Sequence, residues 1–171
     1  MTPASLRTVH VIQGEHHVSD CADTVLTTVL GSCVSACLHD PVRRIGGMNH
    51  FLLPGDAGSS DLRHASAAME RLVNSLIKQG AARNRLEAKL FGGGRMLTGL
   101  PDIGTRNGEA ALAFLRGEGI VLRAHSLGGN RARRVRFWPA TGHVQQLLVQ
   151  EAPQAIRTPT PSASFGPIEI F

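Results

Sequence analysis

The chain has 171 residues, 42% of them hydrophobic and 18% charged, with a mean hydropathy near zero, which suits one soluble domain with a proper core. No apolar run approaches the roughly 18 residues of a membrane span, and no continuous apolar stretch of the signal-peptide kind follows Arg7 and His10, so a cytoplasmic protein without membrane insertion is expected. The net charge of +5 rests almost wholly on arginine, with Lys78 and Lys89 the only lysines, and favours acidic partners, while the odd cysteine count (Cys21, Cys33, Cys37) excludes a closed disulfide framework.

In chain order, Arg7 to Gln13 alternates at period two and predicts a strand, and the Thr- and Val-rich run Asp23 to Leu30 predicts another, broken by Gly31. Val34 to His39 and Ile45 to Leu53 predict a hairpin closed by Pro54-Gly55. A four-residue connection at Asp40-Pro41-Val42-Arg43 would set Cys33 directly opposite His50, on one face, with Cα atoms roughly 4.5–5.5 Å apart. A slip of one residue would send the two side chains to opposite faces.

An apolar stripe at Leu62, Ala65, Met69, Leu72, Val73, Leu76 and Ile77 predicts a helix from about Leu62 to Gln79, ended by Gly80. Glu87 to Phe91 reads as a short strand running into Gly92-Gly93-Gly94. A second helix is expected to start near Asn107, a good cap residue, to bury Ala111, Leu112, Phe114 and Leu115, and to end at Gly117 and Gly119. Ile120 to His125, Val135 to Trp138 and Val144 to Gln150 read as closing strands. The class is α/β (α+β), with layered mixed or antiparallel sheets packed with two main helices in a single domain over 1–151. Residues 152–171, rich in Pro, Ser and Thr, read as a flexible tail.

Neither glycine cluster, 92–94 or 128–129, fits a Walker loop or a dinucleotide fingerprint. The His and Cys spacings do not form zinc knuckles, and Cys33 and Cys37 on one strand would lie about 13 Å apart, so no metal is expected. Arg131, Arg133, Arg134 and Arg136, with Phe137 and Trp138, form the most basic segment; six Phe, one Trp and no Tyr make a poor stacking platform for nucleic acid. The segment reads as a solvated strand edge or as a face for an acidic protein.

Cys33 and His50 are the candidate catalytic pair. A thiol becomes a nucleophile when a base takes its proton. The Gly31-Ser32 turn offers N–H groups to a developing oxyanion, and Thr27 on the preceding strand is placed to hydrogen-bond His50 and fix its tautomer.

These residues resemble the chemoreceptor glutamine deamidase CheD family. The likeness is carried by Thr27-Thr28-Val29-Leu30-Gly31-Ser32-Cys33-Val34, Cys37-Leu38-His39-Asp40-Pro41 and Gly46-Gly47-Met48-Asn49-His50-Phe51-Leu52-Leu53-Pro54. It continues through Ala88 to Gly94, Ile103 to Asn107, Gly128 to Arg133 and Thr141-Gly142. In that family a cysteine follows Gly-Ser, a histidine lies seventeen residues on and a threonine six residues before, which here are Cys33, His50 and Thr27. The resemblance implies a compact layered fold and cofactor-free deamidation of glutamines on the cytoplasmic helices of methyl-accepting chemotaxis receptors, through a cysteine thioester, in chemotaxis adaptation. It allows methyl-ester hydrolysis at the same sites. It implies, as the alternative role, regulation of a CheC-type phosphatase.

Overall fold

The computed structural model describes residues 5–53, 59–97, 99, 101–149 and 165–171. In chain order it contains β1 (Arg7–His10), β2 (His16–Ser19), β3 (Thr24–Leu30), β4 (Val34–Asp40), β5 (Ile45–Asn49), α1 (Ser59–Lys78), a 3-10 turn (Arg83–Arg85), β6 (Glu87–Gly92), α2 (Ile103–Glu118), β7 (Val121–Leu127), β8 (Arg133–Trp138), β9 (His143–Val149) and β10 (Phe165–Ile170). The strands form two five-stranded sheets, ordered β1-β3-β8-β9-β10 and β2-β5-β4-β6-β7. The β1–β3 and β6–β7 pairs are parallel and the rest antiparallel, so both sheets are mixed, as expected of an α+β chain.

Period-two alternation divides the core into two layers. Leu26 and Leu30 of β3 meet Cys37, Met48 and Phe91 from the other sheet, with Val135 and Phe137 of β8, so this layer lies between the sheets. The opposite face of β4, Val34, Ala36 and Leu38, packs on Ala65, Met69, Leu72 and Leu76 of α1 and on Ala111 and Leu115 of α2. Ala65, Met69, Leu72, Val73 and Leu76 of the predicted stripe therefore face the sheet, while Ile77 is exposed. A Schellman stop closes the helix: Gly80 has φ +107, its N–H donates to the Ile77 carbonyl (3.0 Å), and the Ala81 N–H reaches Leu76 (3.0 Å). Gly47 stands mid-strand because a Cβ there would come within 2.8 Å of both Leu72 and Val18.

Four expectations need correction. The hairpin turn lies one residue later than expected: Asp40 pairs with Ile45 and Cys37 with Met48. The buried Asp40 carboxylate accepts from the N–H groups of Val42 (3.0 Å) and Arg43 (3.1 Å), and Arg44 takes φ +53, which makes 41–44 the connection. Helix α2 starts at Ile103, four residues before Asn107, because Asp102 is the cap and accepts from the Thr105 N–H at 3.1 Å. The arginine-rich β8 is not an edge; it runs between β3 and β9. Arg133 is buried and donates to the carbonyls of Ser126 (2.8 Å) and Gly128, while the Arg136 guanidinium lies 5.2 Å from the Trp138 ring centroid. Most of the expected tail, 152–164, lies outside the described residues, but its last stretch is sheet: β10 pairs antiparallel with β9, and Lys89 donates to the Phe171 carbonyl at 3.0 Å.

Candidate active site

Cys33 closes the short Gly31-Ser32-Cys33 loop that leads into β4. All three of its carbonyls are held from one side. The Gly31 carbonyl accepts from the Gly94 N–H (2.9 Å), Ser32 from the Asn107 side-chain amide (2.7 Å), and Cys33 from the Gly93 N–H (2.8 Å). In a trans peptide the N–H points opposite to the preceding carbonyl. The N–H groups of Ser32 and Cys33 are therefore turned away from Gly94 and Asn107, and among the described residues neither donates to another residue. Two N–H groups so placed have the form that oxyanion support at this loop requires.

The glycine run that ends β6 lies against this loop. With φ +109 at Gly92, a Cβ there would sit 2.1 Å from the Cys33 carbonyl oxygen. Asn107, expected as a helix cap, is instead fully buried inside α2. Its Oδ1 accepts from the Leu53 N–H at 2.8 Å while its amide holds Ser32, so one side chain ties the Cys33 loop to the chain beyond β5.

His50 follows β5 immediately. The bridge between Val34 and Phe51 carries the hairpin register past both strand ends. The later turn shifts that register by two residues from the expected one, so His50 falls opposite Ser35 and Cys33 opposite Leu52. A shift of two keeps the face, and Cys33 and His50 become diagonal neighbours, a relation that spans about 7–8 Å between Cα atoms.

His50 is 8% exposed, and its Nδ1 lies 2.7 Å from the Thr28 hydroxyl and 3.3 Å from the Val11 carbonyl. The Thr28 hydroxyl donates to that same carbonyl at 2.7 Å. Its one proton is thereby used, so it accepts from His50, and Nδ1 must carry the hydrogen. Nε2 is left with the lone pair, the tautomer a general base requires. Burial lowers the His50 pKa, opposed by the Val11 contact, and burial raises that of Cys33, partly offset by its own backbone N–H. Both shifts favour the uncharged form, of the thiol and of the imidazole.

Thr27 does not make the contact expected of it. Its hydroxyl donates to the Val135 carbonyl at 2.9 Å. On β3 the residues Leu26, Thr28 and Leu30 share the face turned to the other sheet, where His50 lies; Thr27 is on the opposite face. The sequence reading also missed Gln13, whose Oε1 is 3.9 Å from the Cys33 sulfur and which lines both hollows flanking His50. One hollow is walled by His64 and Arg71 of α1, the other by His10, Val29 and Arg134. Among the described residues no three His, Cys, Asp or Glu side chains are grouped to hold a metal ion, and no helix is long and apolar enough to cross a membrane.

A family model described as CheD chemotactic sensory transduction matches residues 52–147. A probable chemoreceptor glutamine deamidase CheD from Caulobacter sp. (strain K31) is 54% identical over 173 aligned residues, covering 95% of this chain and 92% of that one. One of the same name from Acidiphilium cryptum (strain JF-5) is 45% identical, covering 99% and 96%. Among solved structures, the Neisseria meningitidis protein NMB0706 aligns with a TM-score of 0.45 at 12% identity, covering 73% of this chain and 64% of that one. The chain belongs to the CheD family.

Proposed function

We propose that this member of the CheD family deamidates glutamine side chains of chemotaxis receptors, with Cys33 as nucleophile and His50 as base. The observation that carries the reading is the Cys33 loop itself: a thiol at a strand entrance, two turned-out N–H groups beside it, and a histidine on the paired strand whose Nδ1 is committed to Thr28. The names of its relatives support the substrate class.

In this mechanism Nε2 of His50 takes the Cys33 proton, and the thiolate attacks the carboxamide carbon of a receptor glutamine. The N–H groups of Ser32 and Cys33 receive the oxyanion. His50 then gives its proton to the departing nitrogen and ammonia leaves, with a thioester remaining on Cys33. A water deprotonated by His50 attacks that thioester, and the products are glutamate and the free thiol. Each step uses a proton already held on the site, and water is the one co-reactant. Thr28 orients the base, while Thr27 ties β3 to β8. The target glutamines are placed on the cytoplasmic helices of the receptor, whose acidic character suits a chain of net charge +5.

Peptide mass spectrometry of a receptor cytoplasmic fragment, incubated with wild-type protein and with Cys33→Ala, tests the proposal. A gain of about one mass unit at particular glutamines, with wild type alone, is the expected result. No change with either protein would refute the enzyme reading and make binding to a CheC-type phosphatase the role to measure.

A further inference from the structure

We propose that Gln13 is a self-deamidation site: the chain presents a glutamine of its own to Cys33, and the enzyme converts it to glutamate. The inference rests on the reading of Cys33 as the deamidating nucleophile. Its structural basis is the turn Ile12 to Glu15. The Glu15 N–H closes the turn on the Ile12 carbonyl at 3.0 Å, and Gly14 has φ +88, which makes this a type II turn with Gln13 at its first corner.

The turn is docked on the catalytic histidine from both sides. The Gly14 N–H donates to the His50 carbonyl at 2.8 Å, and the His50 N–H donates to the Glu15 carbonyl at 3.1 Å. The corner side chain is thus carried to the thiol, where the Gln13 carboxamide accepts the Cys33 S–H at 3.9 Å. This side-chain amide is the group the enzyme attacks in its substrate, held at the reacting atom without a bimolecular encounter.

The exposed side chain of Gln13 is free to turn once His50 has taken the thiol proton, since the donor that held Oε1 is then gone. Oε1 moves toward the N–H groups of Ser32 and Cys33 and the amide carbon faces the sulfur. The S–C bond forms, the C–N bond breaks, and the nitrogen leaves as ammonia with the proton from His50. Water then hydrolyses the thioester, which leaves a glutamate side chain at position 13. The carboxylate so created stands beside the thiol and raises its pKa further, so the modified enzyme attacks receptor glutamines more slowly than the newly made one.

The sequence makes the test clean. Trypsin releases Thr8 to Arg43, in which Gln13 is the one Gln or Asn, so a gain of about one mass unit on that peptide reports residue 13 alone. The full chain, wild type and Cys33→Ala, is incubated at neutral pH with receptor fragment in the same tube. The expected result is glutamate accumulating at position 13 in wild type while Cys33→Ala keeps Gln13. Receptor deamidated with Gln13 intact would overturn the self-deamidation and leave the enzyme reading standing. Equal conversion in both proteins would overturn it in favour of spontaneous loss through the Gln13-Gly14 backbone. No conversion of either Gln13 or receptor would overturn both readings. As a second measurement, Gln13→Glu should need a higher pH than wild type for half-maximal alkylation of Cys33 by iodoacetamide; an unchanged midpoint would overturn the slowing.

Discussion

The Thr28 hydroxyl stands 2.7 Å from Nδ1 of His50 and 2.7 Å from the Val11 carbonyl, so a single proton, given to Val11, decides which ring nitrogen is free. Replacing Thr28 with Val keeps the shape and removes the relay. The deamidation rate should fall about tenfold or more, with little change in KM, because ring orientation acts on the chemical step. Thr27→Val should instead cost about 1 kcal/mol of stability through the lost bond to Val135 and leave the rate nearly intact. Steady-state kinetics on both variants decides it; the reverse pattern would return the orienting role to Thr27.

The three cysteines should separate by reactivity. Cys21 is exposed, Cys33 is half-buried with a raised pKa, and Cys37 is buried with its thiol pushed up to about 12 by burial. With iodoacetamide at pH 8, Cys21 should label first, Cys33 more slowly, and Cys37 not at all in the folded chain. Deamidase activity should decline in step with the Cys33 adduct, followed by peptide mapping. Loss that tracks Cys21 would contradict the site.

Acid should loosen the fold well before its carboxylates titrate. Burial holds the imidazoles of His50, His39 and His16 below their ordinary value, so the folded chain keeps them neutral while unfolded histidines protonate near pH 6.5. Below that pH the unfolded state binds more protons, and stability is lost as pH falls from about 6.5 through the lower folded values. Asp40 acts only further down. Burial pushes its carboxyl up, but Arg85 and the N–H groups of Ala82, Arg43 and Val42 outweigh this and bring it to about 2. The urea midpoint should therefore be lower at pH 5.5 than at pH 7.5, and His50→Gln should reduce the difference. Equal midpoints at the two pH values would refute this.

Gly92→Ala should strike the Cys33 loop directly, since its Cβ would lie 2.1 Å from the Cys33 carbonyl at a backbone angle that suits glycine. Asn107→Ala frees the same loop from the other side and leaves the Ser32 carbonyl and the Leu53 N–H without their partner, at about 2 kcal/mol. Both variants should lose more activity at 25 °C than their unfolded fraction accounts for. Thermal melts run beside rate measurements distinguish this from simple destabilisation.

Asp40→Ala removes the ion pair with Arg85 (2.9 Å) and the anchor of the hairpin turn. A loss of about 3 kcal/mol is expected in urea unfolding. Because that turn sets the register that puts His50 diagonal to Cys33, the surviving folded protein should also deamidate more slowly.

The thiol and the imidazole are legible in the sequence because a strand period of two survives an error of two: the turn lies one residue later than its residues suggest, and Cys33 and His50 still share a face. The choice between Thr27 and Thr28 needs the same period applied to β3, where Leu26 and Leu30 flank Thr28 on the apolar face. Helix α1 is legible from its stripe, whereas the start of α2 is hidden by Gly104 and by Asn107, a cap residue used here as a buried clamp. β2, with His16 and His17 in four residues, has no alternation to read; it is a strand because β5 pairs with it. β8 reads as an edge because arginine is normally solvated, but buried Arg133 donates through its terminal nitrogens to carbonyls at the end of β7 and just after it, Ser126 and Gly128. Gln13 leaves no signal at all, since its place beside Cys33 depends on how the Ile12 to Glu15 turn docks on His50.

The two halves of the proposed catalytic pair are set by different sheets: Cys33 leads into the helix-backed sheet, while His50 takes its tautomer from Thr28 of the other sheet and from Val11, just past the end of β1. In that second sheet β3 is flanked by β1 and by β8, whose last residue is Trp138. During synthesis the cysteine and histidine leave the ribosome early, but the strand that holds Thr28 in place is not complete until some ninety residues later, an interval on the order of 5–20 s at ordinary elongation rates. Throughout that interval the thiol has no oriented base, so the chemistry proposed for it has to wait for β8.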